Sequence, residues 1–167
     1  AVVAVVFGMF MYSTNSTLLK YLNAFIWLLF VPNTIYLFTD IIHLPEQILT
    51  LDSSFRFLLV VQYLILTFIG AITFVFAMTL FEKTFLKKHK FKHHNLILIL
   101  LNFVIGFGLV LGRIQRTNSW EVFTNIPKVA SDSFGILMSA ELIFLVIFFG
   151  VLCNSTYFSL NKFKLFK

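Results

Sequence analysis

Asp40 and His43 stand three residues apart in the run Thr39-Asp40-Ile41-Ile42-His43-Leu44, so a helix places them on one face. A carboxylate beside an imidazole suits acid–base chemistry, or the beginning of a metal site that Glu121 or Asp132 would complete. Two ligands do not make such a site, and a hydrogen-bonded structural pair is the better account of them. No metal and no cofactor are assigned. Asp40 has a further requirement: it ends an apolar segment whose helix turns its negative pole that way, which disfavours a carboxylate without a cation nearby. The run Gly112-Arg113-Ile114-Gln115-Arg116-Thr117-Asn118-Ser119-Trp120-Glu121 offers one. Arg113 and Arg116 share a face at the end of another apolar segment, where the helix dipole favours cations. They are either anchors that snorkel to the interface or bidentate partners of Asp40 or of an anionic head group. The expected polar cluster comprises Asn33, Asp40, His43, Arg113, Arg116, Asn118, Trp120, Glu121 and Glu141.

Glu141 falls within the expected fifth span, about two turns from its outer end. It is either a functional carboxyl or one that stitches helices by hydrogen bonding. No other span carries a mid-span carboxylate, which argues against a proton pump or channel. Trp120 suits an interfacial anchor, or a stacking surface for a sugar. Gly108 and Gly112, with Gly106 just before them, have the small-residue spacing of close helix packing. They are expected to bring Arg113 near the second span. The run Lys87-Lys88-His89-Lys90-Phe91-Lys92-His93-His94 reads as a polybasic segment on anionic lipid, and no nucleic-acid partner is expected. Nucleophile elbow, phosphate loop, HExxH and cysteine motifs are absent.

The elements that must position these residues follow from composition. Of 167 residues, 59% are hydrophobic and only 12% charged, with a mean hydropathy of +0.94. A soluble domain carries about 25% charged residues. The chain is therefore an all-α, multi-pass membrane protein, a single transmembrane domain over 1–167. Five spans are expected, at 1–12 (the end of a partial first span), 18–38, 57–81, 95–112 and 134–153. Pro32 should kink the second and free a carbonyl near Leu28. The segments 39–56 and 113–133 are read as polar loops, with Pro45 ending any helical continuation. The single Cys153 excludes an internal disulfide. The chain opens inside an apolar run, so residues are expected upstream of Ala1.

Lysine and arginine placement orients the bundle. Lys83, Lys87, Lys88, Lys90 and Lys92 cluster in 82–94, and Lys162, Lys164 and Lys167 in the C-terminal tail. With Lys20 they fall on one side when five spans are drawn, and that side is expected to be cytoplasmic. Segments 39–56 and 113–133 then face outward.

The two motif runs, Trp27 to Leu44 with its Pro32-Asn33-Thr34-Ile35-Tyr36 core and Leu111 to Val122, resemble a family of bacterial membrane proteins catalogued as domain of unknown function 1361. The similarity runs from about Leu18 to the end of the fifth span. The family pattern usually has a second proline where this chain has Ile35, so the resemblance implies a milder break here. It implies a polytopic protein of a bacterial cytoplasmic membrane and brings no activity. The expected role is a non-catalytic subunit or accessory of a larger membrane complex, in contact with membrane lipids and other membrane subunits. The alternative is an enzyme acting on a lipid or lipid-linked phosphate or sugar in the outer leaflet. A transporter is the third reading, resting on the broken second span alone.

Overall fold

A computed structural model of the chain describes residues 1–50, 52–87 and 93–161. Among them every regular element is helical. Helix α1 (Val2–Ser13) is apolar but short. Among the described residues four segments are long and apolar enough to cross a membrane: Thr17–Thr50, Phe55–Leu86, His94–Arg113 and Ala140–Asn161. At a rise of about 1.5 Å per residue, the 20 residues of His94–Arg113 match a hydrocarbon core of about 30 Å.

The first of these segments is broken. Helix α2 (Thr17–Phe30) ends at Val31, and α3 (Pro32–Thr39) starts from Pro32, whose ring is tolerated there because a first-turn N–H has no helical acceptor. Val31 keeps right-handed helical angles, so the break is mild. The Thr34 N–H and hydroxyl both donate to the Val31 carbonyl, at 3.0 and 2.7 Å. Two features of 39–56 correct the sequence expectation of a loop. A 3-10 turn (Asp40–His43) leads directly into α4 (Leu44–Thr50). Pro45 is the second residue of α4, a position that lacks a helical acceptor, so it does not end the helix.

Helix α5 (Ser53–Phe81) begins before the expected 57–81 and continues through a π-helical turn, Glu82–Lys87. Helix α6 (His94–Arg113) follows the basic run, of which Lys88, His89, Lys90, Phe91 and Lys92 lie outside the described residues, as do residues 162–167 of the tail. The expected loop 113–133 is also corrected. Only 114–120 and Asn125 are irregular; α7 (Glu121–Thr124) and α8 (Ile126–Met138) flank Asn125. The Asn125 side chain caps α8 by accepting the Lys128 N–H, with Pro127 in its first turn. Ser139 is extended, and α9 (Ala140–Asn161) starts after it.

The core lies where α2, α3, α5, α6 and α9 converge, around the fully buried Trp27, Ile35, Phe74, Met78, Ile105, Leu109 and Tyr157. Trp27 stacks on Phe81 with ring centroids 5.0 Å apart. Helix α6 packs most extensively against α9. Gly106 sets that contact: a Cβ there would lie 2.7 Å from the Gly150 nitrogen and 2.9 Å from the Val146 carbonyl oxygen. Asn102, buried in α6, donates to Asn154 of α9 at 2.9 Å, a polar tie between helices. Many large apolar side chains point outward, among them Phe57, Phe68 and Phe144, as a lipid-facing surface requires.

Candidate functional site

One face of α3 and the turn after it carries Asn33, Tyr36, Asp40 and His43, a stripe at helical spacing. Helix α6 is brought against this stripe by its glycines. A Cβ on Gly108 would meet the Pro32 ring at 2.8 Å, and one on Gly112 would collide with the Tyr36 hydroxyl. Both glycines thus face a helix, as their spacing suggests. The Tyr36 hydroxyl donates to the Leu109 carbonyl at 3.2 Å.

This approach delivers Arg113, the last residue of α6, to the far end of the stripe. Its Nη1 donates to Thr39 Oγ1 at 2.9 Å and to Asp40 Oδ1 at 3.0 Å. Its Nη2 lies 2.9 Å from His43 Nε2. A guanidinium has no acceptor, so His43 must accept through Nε2 and hold its ring proton on Nδ1. A metal ion bound through Asp40 Oδ1 and His43 Nε2 would have to displace Arg113 from both. Among the described residues no three potential ligands of the His, Cys, Asp and Glu types gather around a point. The Asp40 side chain is 39% exposed and that of Arg113 19%, so the pair is partly wet.

The segment after α6 folds back as a second network. Thr117, buried, donates through its hydroxyl to Asp132 of α8 at 2.5 Å. The Glu121 carboxylate accepts the Asn118 N–H at 2.6 Å and the Lys128 ammonium at 2.7 Å. These two donors, Lys128 first, hold its carboxyl below the ordinary value. The Ser119 hydroxyl donates to the Leu29 carbonyl at 2.8 Å, filling a backbone acceptor at the Pro32 break. The freed acceptor expected near Leu28 thus has a neighbour bonded from 90 residues away.

Between the two networks lies a cavity of about 270 Å³. Asn33, Tyr36, Asn118, Ser119 and Trp120 supply its polar lining, over an apolar floor that includes Leu28, Val104 and Phe107.

The structure therefore gathers most of the expected cluster at one end of the bundle, but in parts. Asp40, His43 and Arg113 form one group. Asn33, Asn118 and Trp120 line the cavity, and Glu121 is engaged by Lys128. Arg116 is exposed in the turn, in the left-handed region at φ 56°, and makes no ion pair among the described residues. Glu141 does not lie two turns inside the last span but at its very start. It is exposed in the first turn of α9, where the dipole favours a carboxylate, because 126–138 forms its own helix and α9 starts late.

Sequence reasoning missed Thr39, Tyr36, Ser119 and the Thr117–Asp132 bond. The stripe 33, 36, 40, 43 was the available signal for Tyr36. It also missed Glu82, the first residue of the basic segment 82–94. Glu82 is 4% exposed on the π-helical turn, and accepts the Tyr157 hydroxyl at 2.7 Å. Asn161 in turn donates to that tyrosine oxygen at 3.2 Å. Nothing local in the sequence announced it, since the partner is 75 residues away.

Residues 1–155 match the family described as protein of unknown function (DUF1361). The match begins earlier than the motif resemblance and takes in α1. No curated protein and no solved structure matches the chain.

Proposed function

We propose, for a chain that belongs to the DUF1361 family of proteins of unknown function, the role of a non-catalytic subunit or accessory of a larger membrane assembly. Its home on this reading is the cytoplasmic membrane of a bacterium. The basic segment 82–94 and the C-terminal tail face the cytoplasm, and the Arg113 cluster faces outward, where it docks a partner subunit or a lipid head group. The lysine and arginine asymmetry supports that orientation.

The observation that carries the non-catalytic reading is the mutual engagement of the charged groups at this end. Arg113 is held by Thr39, Asp40 and His43, and Glu121 by Lys128 and Asn118. Groups tied to one another build a rigid docking surface. A general acid or base needs a free face toward its substrate.

Native mass spectrometry of the protein, gently solubilised from its own membrane, tests this. The expected result is a discrete complex with another membrane protein in fixed ratio. The protein recovered alone, with turnover of a lipid-linked phosphate or sugar, would overturn it in favour of the enzyme reading. The cavity beside Tyr36 favours that rival.

A further inference from the structure

We infer that the cavity at the Pro32 break is a binding site for an uncharged, hydroxyl-bearing ring, the chemistry of a sugar, with room for an apolar extension. The inference stands apart from any role in an assembly.

Its lining carries the argument. The space of about 270 Å³ lies just under the range of about 300–1,000 Å³ that suits drug-sized ligands, so it fits one ring. No charged side chain lines it. Arg113 does not line it and already holds Thr39, Asp40 and His43, so a phosphate would enter without a cation to meet it. The side-chain amides of Asn33 and Asn118 have no hydrogen-bond partner among the described residues, and each offers two donors and one acceptor oxygen. Ser119 and Tyr36 give their hydroxyl protons to the Leu29 and Leu109 carbonyls, which leaves their oxygens as acceptors. Hydroxyls, which both donate and accept, match this mixed set. Trp120, 58% exposed, adds a flat apolar face against which the C–H face of a sugar ring can lie. Leu28, Val104 and Phe107 provide the apolar floor for a tail. Pro32 against Gly108 fixes one wall, since any larger residue at 108 would push into the ring.

The test uses the full chain in zwitterionic nanodiscs, with Trp120 fluorescence as the readout and W120F as the blank for Trp27. Octyl glucoside, kept well below its micelle concentration, octyl phosphate and free glucose are titrated separately. Saturable binding of octyl glucoside without matching binding of octyl phosphate is expected. Glucose that also saturates assigns the site to a soluble sugar; saturation by octyl glucoside alone assigns it to a lipid-borne one. N33A and N118A should each weaken the productive probe about fivefold, the effect of one lost neutral hydrogen bond. Linear partitioning of all three probes overturns the inference, as does equal binding of the phosphate. Either variant binding like the unaltered chain overturns it too. The comparison of probes needs no variant, so a substitution that impairs folding leaves the decision intact.

Discussion

Arg113 donates to the Asp40 carboxylate at 3.0 Å across 73 residues of sequence, joining the end of α6 to the turn that follows α3. Each partner answers the other's position. The carboxylate stands near the negative pole of one helix, and the cation ends another, where that pole favours it. With Asp40 39% exposed, water screens the pair, and its energy belongs nearer to surface values than to buried ones.

A double-mutant cycle on Asp40→Asn and Arg113→Gln should therefore return a coupling of about 1 kcal/mol in unfolding titrations of the detergent-solubilised protein. The same cycle with Arg116→Gln should return zero, since Arg116 sits in a left-handed turn and makes no ion pair with Asp40 among the described residues. Equal couplings for the two arginines would mean that the contact is exchanged between them.

The two glycine contacts should separate in stability. Gly106→Ala places a Cβ against α9 backbone, which cannot rotate away, and should cost about 2–3 kcal/mol. Gly112→Ala meets the end of the Tyr36 side chain instead. It should cost less, and Tyr36→Phe should recover part of the loss because the colliding oxygen is gone. Thermal melts of the three single variants and the Gly112→Ala/Tyr36→Phe pair decide this; a Gly106→Ala protein as stable as the parent contradicts it.

Below the ordinary carboxylate range the α7–α8 region should loosen. Glu121 has a folded pKa below its unfolded value, with Lys128 the main cause. Its contribution is complete above the unfolded value, about 4.3, and is lost as pH falls through the folded one. Carbon-13 titration of the Glu121 carboxyl should show a midpoint below that of a model glutamate. Lys128→Gln should move it upward. An unmoved midpoint would remove the ion pair from the account.

Membrane sidedness can be read with one introduced thiol at a time. Cys153 is the only native cysteine and is buried, so background labelling should be low. Cysteine at Glu46 or Lys128 should react with an impermeant reagent in intact cells, and cysteine at Lys90 only after lysis. The reverse pattern would move the Arg113 cluster to the cytoplasmic side.

The bundle was legible because apolar runs of span length leave few alternatives. What escaped the sequence was the end of the bundle where polar residues alternate with helix. Pro45 looks like a stop, yet a proline at the second position of a helix gives up no helical hydrogen bond. The start of α9 was also blurred, since Phe134 and Ile136 of α8 look like part of the next span. Ser139 was the available sign: its oxygen accepts the Leu142 N–H at 3.4 Å, and Glu141 follows in the first turn. For the site, helix-pole electrostatics alone call for a cation beside Asp40. They could not tell Arg113 from Arg116, because that depends on the turn at Ile114, where α6 stops and the next residues swing away. Glu82 and Tyr157 were invisible for the same reason that makes them pair: each needs the other, and only the packed helices bring them together.

The break at Pro32 invites the idea of a hinge, but the bonds around it argue for a latch. Ser119 fastens Leu29 just before the break, Tyr36 fastens Leu109 one turn beyond it, and Arg113 fastens Asp40 one turn further still. All three fasteners join the same two stretches of chain, at successive heights along one seam. A force that slides 29–40 past 109–119 loads them together instead of one after another. The seam should then yield in a single step under tension, stiff up to a threshold and free beyond it, and the upper half of the Pro32 segment should move as a bolt drawn whole.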